Sequence, residues 1–99
     1  MSAHIEPLSD QHLQVIGELD FDNALALKKA GEALIDRAGD ALEMDFSRVT
    51  RSGSAGLTLL CSWLRHAEQL DKRIFFTHLP ADLMGVAKVS GVDQILPVK

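Results

Sequence analysis

Cysteine occurs once in the 99 residues, tyrosine not at all, and aromatic residues make up only 5%. A lone Cys61 cannot close an internal disulfide, and Met1–Ile5 has no apolar run of the kind a secretory leader carries. The expected setting is therefore the cytoplasm, not that of an exported disulfide scaffold. Long apolar runs are missing as well. The longest, Leu57 to Leu64, is interrupted by Thr58 and Ser62 and falls far below the roughly 20 residues that cross a bilayer, so any membrane association is expected to pass through a partner. Basic residues are in deficit, 10 Lys+Arg against 14 Asp+Glu for a net charge of −4. The cationic stripe that phosphate neutralisation needs is absent, and nucleic acid is not expected as a ligand. Repeats, linkers and low-complexity tracts are absent too.

What is present is apolar: 46% of the residues are hydrophobic, enough to exclude intrinsic disorder. A folded chain of this size hides about 65% of the surface its unfolded form exposes, so residues 1–99 are expected to form a single domain with a real core. Its order reads from periodicity. Met1 to Leu8 is a marginal strand that Pro7 confines to an edge. The alternation from His12 through Leu13 and Val15 predicts a strand closing near Gly17–Leu19. Asp20 and Asp22 then suit the mouth of a helix, in which Leu27, Ala30, Leu34 and Ala38 recur at helical spacing before a stop at Gly39. Ala41 to Phe46 alternates as a strand, and Ser47 to Gly53 has the composition of a loop. A second helix is expected from Ser54 to Asp71, a buried strand in Lys72 to His78, and a third helix after Pro80 that ends around Ser90–Gly91. Gln94 to Val98 is a possible terminal strand. Alternating strands and helices predict an α/β domain, a mixed sheet flanked by helices in which the first two strands pair antiparallel and the later ones run parallel.

Chemistry is sparse. His4, His12, His66 and His78 are widely separated, with no His-x-x-x-His or Cys-x-x-Cys spacing. Cys61 and His66 stand about 140° apart around a helix, so no metal site is expected. The histidines read as surface residues and Cys61, in line with Leu57, Leu60 and Leu64, as a core thiol. Ser52-Gly53-Ser54-Ala55-Gly56 matches only the second glycine of a nucleophile elbow, and a hydrolase of that kind needs a larger sheet than 99 residues supply. No Gly-Lys-Ser/Thr follows the loop, so nucleotide phosphates have no lysine to hold them. Glu18, Asp20 and Asp22 could form an acid–base or cation site, or simply oppose the dipole of the following helix.

Two features remain. Ser54 is expected as the N-cap of the second helix, a contribution of about 1 kcal/mol; alternatively its hydroxyl, near Arg48 and Arg51, could meet a phosphate or a partner carboxylate. In the same helix Leu57, Leu60, Cys61 and Leu64 share about 100° of arc, whereas Leu59, Trp63 and Leu70 lie about 200–240° away from Leu57. One stripe faces the sheet. The other is covered by a neighbouring helix or left for a partner, with Trp63 as its anchor and His66 at its rim.

Gly17-Glu18-Leu19-Asp20, then Met44-Asp45-Phe46-Ser47-Arg48-Val49, then Ser54-Ala55-Gly56-Leu57 together resemble the STAS domain family, shared by bacterial anti-sigma factor antagonists and the cytoplasmic tails of anion transporters. The resemblance runs from His12 to Val98. Within the family the short stand-alone form, the Gly-Glu-Leu-Asp segment and the Asp-Phe-Ser-Arg-Val run look most like the STAS subunits of Mla-type phospholipid ABC transporters. The resemblance implies a non-enzymatic accessory subunit, without cofactor or small-molecule substrate. Its implied partner is the cytoplasmic ATPase of the complex, and through it the permease and the inner membrane. The family's phosphorylatable or partner-contacting Ser/Thr falls on Ser54, with the acidic residue that commonly precedes it in antagonists replaced by Gly53. The partner-binding residues expected are Ser54, Ala55, Leu59, Trp63 and His66, and Ser54 is the candidate for phosphorylation under the antagonist reading.

Overall fold

A computed structural model describes residues 3–99. Its order is β1 (His4–Ser9), β2 (His12–Glu18), α1 (Ala24–Arg37), β3 (Ala41–Arg51), α2 (Gly53–Gln69), β4 (Arg73–Thr77) and α3 (Ala81–Val89). The strands form one mixed sheet in the order β1-β2-β3-β4. β1 and β2 are antiparallel, and β2, β3 and β4 are parallel. Because the strand order advances in one direction, the right-handed crossovers through α1 and α2 stay on one face of the sheet. That face carries Leu13, Val15, Leu42, Met44, Phe46, Ile74 and Phe76, all buried. The alternate residues of the same strands, His12, Gln14, Glu43, Asp45 and Thr77, turn to the opposite, polar face. The mixed sheet flanked by helices is the architecture that the alternation predicts.

Three local expectations are corrected. The segment Ser47–Arg51 is not loop but a continuation of β3, held by β2 through the pairs Ile16 with Arg48, Gly17 with Val49 and Glu18 with Arg51; the neighbouring strand's free backbone groups override a loop-like composition. The inward stripe of α1 is Leu27, Gly31 and Ile35, while Ala30 is exposed. α1 stops just before Gly39, as expected, but without a left-handed turn there. Lys72 does the capping instead: its Nζ donates to the carbonyls of Ile35 (2.7 Å), Asp36 (3.0 Å) and Ala38 (2.8 Å), where a cation also meets the negative end of the helix dipole. The terminal strand shrinks to a single bridge between Val98 and Phe76, which with the bond from the Phe76 N–H to the Pro97 carbonyl (2.8 Å) covers the outer edge of β4.

The core centres on Trp63, which is fully buried. Its indole donates to the Lys28 carbonyl at 3.2 Å and lies on Gly31, where an added Cβ would collide with the ring. Phe46 links this contact to the sheet, with ring centroids 6.4 Å from Trp63 and 6.0 Å from Phe76. Gly31→Ala should therefore destabilise the domain by about 1–3 kcal/mol through overpacking. Exposed Gly85 in α3 has open space around a new Cβ, so Gly85→Ala should gain about 0.5–1 kcal/mol from helix propensity. Urea denaturation of the two variants checks the opposite signs.

Candidate functional site

The first turns of α1 and α2 gather at the carboxyl ends of the parallel strands, the place where open α/β sheets put their sites. A cavity of about 420 Å³ lies there, lined by Glu18, Leu19, Asp20, Phe21, Arg51, Ser54, Ala55 and Asp82 among others. Asp20 and Asn23 latch the entry to α1 by exchanging bonds, Asn23 N–H to Asp20 Oδ1 at 2.9 Å and Asp20 N–H to Asn23 Oδ1 at 3.0 Å. This is how the acidic segment is used locally.

The N-cap of α2 is Ser52, not Ser54. Gly53, at φ +53°, supplies the left-handed step into the helix, which shifts the start by one residue and leaves Ser54 within the first turn. Ser52 is buried, and its hydroxyl donates to Asp82 Oδ1 at 3.3 Å. Asp82, thirty residues on, does the capping. Its Oδ2 accepts the backbone N–H groups of Ser52 (3.0 Å) and Gly53 (2.9 Å), while Oδ1 accepts that of Leu83 (2.9 Å). One carboxylate therefore serves the first turns of both α2 and α3. The Ser52 N–H, more than any other contact, holds the Asp82 carboxyl below its ordinary 3.8; the Gly53 and Leu83 N–H groups act with it against partial burial. Ser54 itself is exposed, and its carbonyl accepts the Thr58 hydroxyl at 3.1 Å. Arg51 lines the cavity beside it and Arg48 does not; no histidine lines it to take a proton from the Ser54 hydroxyl.

Along α2 the stripe that carries Trp63 is covered by the neighbouring helix α1, one of the two outcomes expected for it, and Leu60 of the other stripe is buried beside it. The buried residues are Ala55, Gly56, Leu59, Leu60, Trp63 and Ala67, one continuous inward stripe at helical spacing. Ala55, Leu59 and Trp63 are therefore core residues with no surface to offer a partner, because the indole needs Gly31 of α1 beneath it. Cys61 is exposed, not a core thiol, and Leu57 and Leu64 are only half-buried. The outward groove is lined by Leu57, Thr58, Cys61, Ser62 and Arg65. His66 is engaged within the domain: its Nε2 lies 2.8 Å from Asp36 Oδ1 on α1, and its Nδ1 lies 3.9 Å from Glu32 Oε2. Of the five expected contact residues, Ser54 alone is fully open.

The histidines are less dispersed in space than in sequence. On the polar face of the sheet His12 Nε2 sits 3.5 Å from Glu43 Oε2 and 3.7 Å from Asp45 Oδ2, and His78 Nδ1 sits 3.1 Å from Asp45 Oδ1. The Thr77 hydroxyl donates to Glu43 at 2.7 Å. Burial pushes the Asp45 carboxyl up, but the Ser47 backbone and hydroxyl, Gln14 and the His78 ring outweigh it and leave it lowered. Linear spacing carries no sign of this cross-strand cluster. Among the described residues no three His, Cys, Asp or Glu side chains are arranged to hold a metal ion, and no helix is long and apolar enough to cross a membrane.

The family described as "Mlab, STAS domain" matches residues 5–97. Among curated proteins none matches the chain. Among solved structures the chain is similar to the anti-sigma factor antagonist SpoIIAA in its unphosphorylated form, at 18% identity and a TM-score of 0.74 over 99% of this chain and 86% of that one. It is similar to an anti-sigma factor antagonist from Mycobacterium paratuberculosis at 24% identity and a TM-score of 0.74, over 98% of this chain and 83% of that one. The phosphorylated form of the Bacillus SpoIIAA aligns at 18% identity with a TM-score of 0.70, over 99% and 89% of the two chains.

The lowered Asp82 carboxyl has a sign. A carboxylate favoured in the folded state adds stability that is fully present above the ordinary 3.8 and is lost as pH falls through the lower folded-state value. Asp82→Asn should cost about 1 kcal/mol at neutral pH, the scale of a helix cap on a solvent-screened group. Denaturation curves recorded at successively lower pH should show that deficit closing below 3.8.

Proposed function

Since the chain belongs to the STAS domain family of the Mlab type, we propose that it is a non-enzymatic accessory subunit of a phospholipid-transporting ABC complex. It binds the cytoplasmic ATPase of that complex and supports its assembly and activity; permease and inner membrane are reached only through the ATPase. The family match across residues 5–97 carries this reading. The surface supports it in kind: a small acidic domain presents the open first turn of α2 at Ser54 and, one to three turns on, the groove lined by Leu57, Thr58, Cys61 and Arg65. Contact along one helix face needs no pocket for a substrate and no nucleotide loop, and the chain's size suits such a task.

A second reading, an anti-sigma factor antagonist switched by phosphorylation, draws on the exposure of the Ser54 hydroxyl and on SpoIIAA, which aligns in both phosphorylation states. Electrostatics weigh against it. A phosphate on Ser54 would place close to two negative charges on a rim that already holds Glu18, Asp20 and Asp82, with Arg51 to offset them.

Ser54→Arg should reduce capture of the co-expressed ATPase by about tenfold, equivalent to about 1.4 kcal/mol, while leaving the urea midpoint unchanged. Trp63→Ala should act differently, lowering domain stability by about 3–5 kcal/mol. Undiminished capture and ATP turnover with Ser54→Arg would remove the interface. Transfer of phosphate to Ser54 by a co-encoded kinase, seen as a mass increment absent from Ser54→Ala, would favour the antagonist instead.

A further inference from the structure

We infer that the cavity at the Ser54 end takes a partner segment in which an apolar side chain is flanked by a cationic one, arginine or lysine. The inference rests on the reading of this end of α2 as the contact surface, and it specifies the chemistry of what docks there. Apolar side chains supply the first ground. Phe21, on the cavity's lining, is 70% exposed and Leu25, four residues on, is 63% exposed, whereas Leu19 and Ala55 behind it are buried. An aromatic ring left in solvent at the rim of this shallow concavity, with Leu25 one turn on, offers apolar area for a partner side chain to cover.

Charge supplies the second ground. Three carboxylates, Glu18, Asp20 and Asp82, and one cation, Arg51, line this cavity, a local balance of −2 on a chain of net charge −4. Complementary charge at such a rim speeds encounter and rejects partners of like sign. An anion meets the reverse. The start of α2 would ordinarily attract one, but Asp82 already occupies the Ser52 and Gly53 N–H groups and offsets the helix dipole with its own charge. The intramolecular cap therefore turns an anion-attracting helix start into an anion-repelling one.

Titration of the isotopically labelled protein with two short peptides decides the matter without the ATPase. Acetyl-Arg-Leu-Leu-Arg-amide should shift the backbone amide signals of Phe21, Gly53 and Ser54, and acetyl-Glu-Leu-Leu-Glu-amide should leave them in place. Glu18→Lys should weaken the first peptide severalfold and Arg51→Glu should tighten it, a pair of opposite responses that general misfolding cannot produce. Equal shifts with both peptides, shifts with neither, or the same change in both variants would overturn the inference. Binding of the basic peptide by a protein that captures no ATPase would reject the proposed function and keep the inference. Capture of the ATPase unaffected by Glu18→Lys would do the opposite.

Discussion

The seat of the Trp63 indole on Gly31 governs the rest of the domain. A residue without a side chain is needed on α1 because the ring lies where a Cβ would stand, and the bond to the Lys28 carbonyl fixes the ring's orientation along the helix. That contact sets how closely α1 and α2 approach and how α2 is rotated about its own axis. Rotation decides which of its apolar residues are core. With Trp63 turned inward, Leu59 and Leu60 follow it, and Leu57, Cys61 and Leu64 are left at the margin or in solvent. Phe46 and Phe76 carry the same contact through to β3 and β4 by tilted and edge-on stacking. One ring thus joins helix pair and sheet.

The second organising element is polar and borrowed from a distance. The end of α1 and the start of α2 are both finished by residues remote in sequence. Lys72, at the entrance to β4, supplies three hydrogen bonds to the end of α1, and Asp82 supplies the cap of α2. Both groups sit next to α/β junctions, so closing the sheet in the right order and capping the helices are the same event. Consistency of this kind between local ends and global topology separates a single native arrangement from competing ones.

Element order, the antiparallel start of the sheet and its parallel continuation were legible in the chain because alternation at Leu13/Val15 and at Leu42/Met44/Phe46 is a local signal. The resemblance to the STAS family identified the fold and singled out Ser54. What was hidden depends on partners remote in sequence. Apolar residues on α2 occupy two arcs by period, and the absence of a side chain at Gly31 is what turns Trp63 inward, with Leu59 from its own arc and Leu60 from the other. Ser47–Arg51 has the composition of a loop, but β2 offers it a ladder. Asp82 reads as an ordinary first-turn acid of α3, and its service to Ser52 and Gly53 is invisible without the fold. The meeting of His12, Glu43, Asp45 and His78 requires the register of three strands.

The outward position of Cys61 carries a practical consequence. It is the chain's single cysteine, it is exposed, and it stands midway along the face of α2 that the core leaves free, two turns from Ser54. A thiol-directed dye or spin label would therefore attach at one place without any substitution. It would sit on a rigid helix held by Trp63 and report the arrival of a partner at that face by quenching, polarisation or distance. The protein carries its own optical handle where one would choose to install it.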